Sequence, residues 1–103
     1  MDDVVVKKNL IPVIIEYHSD NIWSFTTKEN FFPSFKFKGT PNRVKSLLKV
    51  IRAKDSVTYP NSYKGTTYQE MLDFIITNGI FTIFVWRSKY PKSQNDINLL
   101  IGN

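Results

Sequence analysis

The chain contains no cysteine, which removes disulfides, thiolate zinc sites and a thiol nucleophile from any account of it. Its stability must come from the core alone. It has a single histidine, His18, so imidazole chemistry is confined to one position. Glycine occurs four times and never in a tract, which leaves no flexible linker and no Gly-rich phosphate loop. The longest apolar run, Ile80 to Trp86, is far too short to cross a bilayer, and Met1-Asp2-Asp3 is acidic where a secretory signal is basic. The expectation is a cytoplasmic, intracellular protein with no membrane partner and no cofactor.

The most informative absence is of acids. Between Asn30 and Lys54 there is no Asp or Glu, and seven basic residues fall in that stretch: Lys36, Lys38, Arg43, Lys45, Lys49, Arg52 and Lys54. The whole chain has 14 basic and 9 acidic residues, a formal net charge of +5. The segment supplies +7, so the remainder nets to −2 (7 basic against 9 acidic). Such concentration points to a polyanionic partner, nucleic acid or an acidic protein. The competing reading is a solvated surface with lysines protecting an edge strand from aggregation, although a merely solubilising surface usually mixes signs.

At 103 residues, 42% hydrophobic and 15% aromatic, residues 1–103 fit one α+β domain able to bury roughly two-thirds of its unfolded surface. Lysine outnumbers arginine 11 to 3, a codon-level bias of AT-rich genomes such as those of many viruses and phages.

Residues 11–17 are rich in β-branched types and predict a strand, with Pro12 tolerable at its start or on an edge. His18-Ser19-Asp20-Asn21 is turn chemistry, and residues 22–27 return as the second arm of a hairpin. Phe35-Lys36-Phe37-Lys38 alternates with period two, so the phenylalanines face the core and the lysines face away; Pro33 just upstream favours an edge position for this third strand. Thr40-Pro41 opens a helix as N-cap and first helical residue. Val44, Leu47, Leu48 and Ile51 then form its apolar stripe, and Lys45, Lys49 and Arg52 a basic one. Thr67-Tyr68-Gln69-Glu70 is a capping box for a second helix, carrying Met71, Leu72 and Ile75 and ending at Asn78-Gly79. Residues 80–86 are apolar on both alternating faces, as in a central strand; a second copy of the chain is a candidate to cover what the helices do not. Residues 87–96 read as polar loop and 97–101 as a short last strand. The inferred architecture is β-β-β-α-α-β, an antiparallel sheet with two helices against one face.

Pro12-Val13-Ile14-Ile15-Glu16, then Trp23 in the next strand, then Gly39-Thr40 opening a helix, resembles the small β-β-β-α module of HicB-type antitoxins. The acidic residues after Gly-Thr and the Pro-Asp-Leu-Pro-Gly-like turn of that module are missing, and the resemblance stops near Ile51. It implies the element order and carries no residue role or activity.

Three constellations bear on function. The basic strand and helix rows can converge on phosphates, joined by Arg87 and Lys89 after the apolar strand, with lysine suiting charge neutralisation rather than base reading. Aromatics interleave with them: Phe35 and Phe37 are needed for the core, whereas Phe31, Phe32, Tyr63 and Tyr90 are candidates for stacking or a protein interface. Glu16, His18 and Asp20 alternate on an extended chain, where such a row can hold a divalent metal or orient His18 as a base; the plainer reading is a hydrated hairpin end. The reading favoured is a non-enzymatic binding protein contacting nucleic acid or another polyanion with little sequence specificity. The alternative is a viral or phage effector that inhibits a host protein through the same basic and aromatic surface.

Overall fold

The computed structural model describes residues 9–29, 32–55 and 67–102, and the structure is a mixed α+β fold. Its strands are β1 (Leu10–Tyr17), β2 (Ile22–Thr26), β3 (Phe35–Lys38), the two-residue β4 (Lys54–Asp55) and β5 (Ile80–Trp86). Its helices are α1 (Pro41–Val50), α2 (Tyr68–Asn78) and α3 (Gln94–Ile101), with a short 3₁₀ turn at Arg87–Lys89. The sheet order is β3-β2-β1-β5-β4, and every pairing is antiparallel. Among the described residues no helix is long and apolar enough to cross a membrane.

Local chemistry explains most of these elements. Ser19 to Ile22 closes the β1–β2 hairpin with Asp20 and Asn21 both left-handed (φ 58° and 62°); Asp and Asn tolerate that conformation, and the twist of such a turn matches that of the strands. Thr40 caps α1 by accepting the Arg43 amide, with Pro41 beside it. In α2 the capping box is complete: Glu70 N–H donates to Thr67 Oγ1 (3.1 Å), and Thr67 N–H donates back to Glu70 Oε1 (3.1 Å). Gly79, at φ 83°, ends the helix in the left-handed cap that glycine adopts without steric cost.

Strand parity sorts the core. Ile11, Val13, Ile15, Trp23, Phe25, Phe35, Phe37, Ile83 and Val85 share one side of the sheet and one buried cluster with Val44, Leu47 and Leu48 of α1, Met71, Leu72 and Ile75 of α2, and Ile97 and Ile101 of α3. Gly39, between β3 and α1, lies close against α3. Its carbonyl accepts from Trp23 Nε1 (2.9 Å), and a Cβ there would meet Ile101 Cγ1 at 2.8 Å. Only glycine leaves room for both the indole bond and α3.

Two expectations are corrected at the C-terminal end. Residues 97–101 are helical, not a strand: Ser93 caps α3 by accepting the Asp96 amide, and Gly102 ends it at φ 86°. Residues 87–96 are more than polar loop, because Tyr90 and Pro91 within them are buried. β5 does lie inside the sheet, between β1 and β4, with Ile83 and Val85 fully buried and Ile80, on the other parity, 52% exposed. The two-residue β4 pairs with β5 at Ile83 and Phe84.

Candidate functional site

The basic segment divides over two directions. Lys36 and Lys38 are exposed on β3 with the parity opposite to Phe35 and Phe37, whereas α1 joins the cluster on the Phe35 and Phe37 side. The strand lysines and the helix cations therefore leave the core on different sides and do not converge, because pairing of β3 with β2 fixes which face its lysines take. Lys54 falls in β4, paired with Phe84.

On α1 the cations differ in what they touch. Arg43 donates to the Gly102 carbonyl (2.7 Å), fastening α1 to the end of α3. Lys45 donates to Gln69 Oε1 (3.1 Å), and Gln69 Nε2 donates to Asp73 Oδ1 (2.9 Å), so among the described residues this lysine is linked to an acid through an amide relay. Lys49 and Arg52 are exposed, and among the described residues neither has a carboxylate at ion-pair distance. No acid occupies the first turn of α1.

Arg52 also has an unusual backbone. It is left-handed, at φ 54°, just past the C-cap Ile51. Its N–H donates to the Lys49 carbonyl (3.2 Å) and the Ala53 N–H to the Leu48 carbonyl (3.0 Å), the paired bonds of a Schellman turn, whose left-handed position usually belongs to glycine. Beside it stands Tyr68, half-buried: burial raises the phenol's pKa, and the Arg52 charge opposes that rise.

The second basic group is built into the fold. Arg87 Nη2 pairs with Glu29 Oε1 (3.0 Å), and the Arg87 guanidinium and the Lys92 ammonium each lie 5.4 Å from the centroid of the Phe32 ring. Lys89 is exposed next to them. Phe32 packs edge-on against Tyr90 (5.5 Å between centroids), and the Tyr90 hydroxyl donates to the Pro33 carbonyl (2.6 Å). Tyr90 is thus a core residue, 2% exposed, and the expectation that it stacks on a ligand is corrected: its ring fills the space between Phe25, Phe32 and Phe35. Burial holds its phenol well above the ordinary tyrosine range. Phe31 and Tyr63 lie outside the described residues.

The row of Glu16, His18 and Asp20 is broken by the hairpin. β1 ends at Tyr17 and Asp20 is in the left-handed turn, so the alternation that would align the three side chains stops short. His18 Nε2 shares a hydrogen bond with Ser24 Oγ (3.1 Å) across the hairpin, a partner the alternation of residues did not suggest. Among the described residues no group of three or more His, Asp or Glu is placed to hold a metal ion.

No protein family, no curated protein and no solved structure matches the chain.

Proposed function

We propose that this is a small non-enzymatic binding protein whose α1 face, with Lys45, Lys49 and Arg52, contacts nucleic acid or a comparable polyanion mainly through charge. The observation that carries the reading is Arg52. A left-handed non-glycine residue costs roughly 1–2 kcal/mol, and a cation at a helix C-terminus recovers about 0.3–1 kcal/mol from the macrodipole. Glycine would serve the turn at least as well, and backbone strain retained without a structural return is a pointer to function. The turn sets a guanidinium that has no carboxylate at ion-pair distance among the described residues just past the end of a helix that carries no acid, after Lys45 and Lys49. Such a row neutralises successive phosphates and releases their counterions, which gives affinity with little base discrimination.

The test is binding of the purified protein to labelled single-stranded DNA, duplex DNA and RNA from about 50 to 300 mM salt, beside a Lys45→Glu/Lys49→Glu/Arg52→Glu variant. The expected result is micromolar or tighter binding whose logarithm falls against log salt with a slope of about −3 for duplex DNA, one counterion step per cation. The variant should not bind. Absence of binding at the lowest salt, or equal binding by the variant, overturns the reading.

A further inference from the structure

A second surface, distinct from the outward face of α1, is centred on α3. Two open concavities meet there, one of about 420 Å³ and one of about 300 Å³. Leu100 lines both and forms the ridge between them. Beside it on the same helix Leu99 is 67% exposed, more than any other large hydrophobic side chain among the described residues. A helix that buries Ile97 and Ile101 does not need leucine at the neighbouring outward position for its own packing, and water contact at Leu99 is unfavourable.

The rim of this ridge is basic. Arg43 lines the first concavity, where its bond to the Gly102 carbonyl orients the guanidinium without neutralising it. Lys89 and Lys92 line the second. The acid there, Asp96, already accepts the Lys92 amide at 3.3 Å through Oδ2. An apolar centre within a charged rim is the anatomy of a protein-binding patch, where bulky buried anchors dominate affinity and the rim sets partner choice. Nucleic acid suits it poorly: Tyr90, the aromatic residue among the described ones that line the two concavities, is buried and offers no face for base stacking, and a phosphate has nothing to gain from a leucine.

We infer that the α3 ridge is a docking site for an acidic amphipathic segment of a partner protein, which seats apolar anchors on Leu99 and Leu100 and sets its carboxylates against Arg43, Lys89 and Lys92. This is the helix-in-groove mode of recognition, with affinity from the anchors and orientation from the charges.

The test uses the full chain and a panel of short fluorescein-labelled helical peptides, with leucine or phenylalanine at helical spacing and Glu or Asp elsewhere. Controls are the same peptides with serine for each anchor. At about 150 mM salt, where weak charge-only contacts are screened, the anchored peptides should raise fluorescence anisotropy on binding and the serine controls should not. Leu99→Asp, whose exposed site leaves the fold intact as circular dichroism can verify, should weaken binding by about tenfold or more. Lys89→Glu should weaken it by a few-fold, whereas Lys49→Glu/Arg52→Glu should leave it unchanged, which separates this site from the α1 face. Four results overturn the inference: no peptide of the panel binds; serine controls bind equally; Leu99→Asp has no effect; or sedimentation shows a dimer that Leu99→Asp dissolves, in which case the occupant is a second copy of the chain.

Discussion

The cations of α1 and those around Phe32 carry the same charge and differ in what surrounds it. Arg87 has Glu29 at 3.0 Å and a ring beneath it, and Lys92 shares that ring. Lys49 on α1 and Arg52 just past it have, among the described residues, no carboxylate at ion-pair distance. The region around Phe32 ties the chain between β2 and β3 to the chain after β5 through Arg87 to Glu29 and Tyr90 to Pro33, and Gln94 of α3 reaches the Lys36 carbonyl of β3, each across nearly 60 residues of chain. On α1, Arg43 and Lys45 reach α3 and α2, and Lys49 and Arg52 make no such tie among the described residues. The charges around Phe32 join distant segments of the fold, whereas Lys49 and Arg52 have no such role among the described residues, and Arg52 is held on strained backbone. The distinction predicts that substitutions in the two regions separate stability from binding.

The largest effect belongs to the anchor of the structural group. Tyr90→Ala removes a ring packed against Phe25, Phe32 and Phe35 and leaves the Pro33 carbonyl without its donor. The expected loss is about 3–5 kcal/mol for the cavity, with further loss from the orphaned acceptor, measured by urea denaturation. Tyr90→Phe isolates the hydroxyl and should cost about 1–3 kcal/mol. If Tyr90→Ala instead lowers polyanion affinity and leaves stability untouched, the two regions are not separated as described.

Arg52→Gly sharpens the contrast from the other side. Relief of the left-handed strain, about 1–2 kcal/mol, is set against the entropy that glycine loses on folding, about 0.5–1 kcal/mol, and the lost charge at the helix C-terminus, about 0.3–1 kcal/mol. Stability within about 1 kcal/mol of the parent chain in urea denaturation, together with weaker nucleic-acid binding, is the expected pair of results. A loss well beyond about 1 kcal/mol would show that Arg52 makes a structural contribution after all.

How much of this was legible in the sequence depended on how local each signal is. The alternation of Phe35 to Lys38, the Thr40-Pro41 start and the Thr67 to Glu70 box involve residues a few positions apart, and all three stand as read. α3 was written in the same grammar, with Ser93 capping Asp96, Ile97 and Ile101 one turn apart, and Gly102 at the end. Its Asn-Leu-Leu-Ile run nevertheless reads as a strand when the cap is overlooked. Other features have no local signal. Tyr90 finds its acceptor 57 residues away, so nothing near it distinguishes a buried tyrosine from an exposed one. The divergence of the two lysine rows follows from the pairing of β3 with β2 and the side on which α1 packs, and a stripe on each element says nothing about the angle between them. The strain at Arg52 is equally silent, since arginine is common at helix ends for its charge.

Within the structural group, the Arg87–Glu29 pair is the weaker member. Both side chains are more than a third exposed, so solvent screens the pair, and a double-mutant cycle with Arg87→Ala and Glu29→Ala should return a coupling of about 0.2–1 kcal/mol. Added salt should reduce it. A coupling well above that range would mean that the Phe32 ring contributes through Arg87 as well, which Phe32→Leu in the same cycle would reveal.

The smallest effect separates helix capping from both charged regions. Glu70 has its carboxyl pKa lowered, first by the Thr67 backbone N–H and then by the Thr67 hydroxyl, with burial opposing. A folded-state pKa below the unfolded value means that the unfolded chain takes up this proton first as pH falls. The stabilisation is therefore present above the ordinary glutamate range and lost as pH drops through the folded pKa. Stability measured from pH 6 down to about 3 should fall less steeply in Glu70→Gln than in the parent chain. Polyanion affinity at neutral pH should be the same in both, because Glu70 is turned to its own cap and not to the α1 row. If affinity rises in Glu70→Gln, its charge reaches the Lys45 side of α1, and the binding surface extends onto α2.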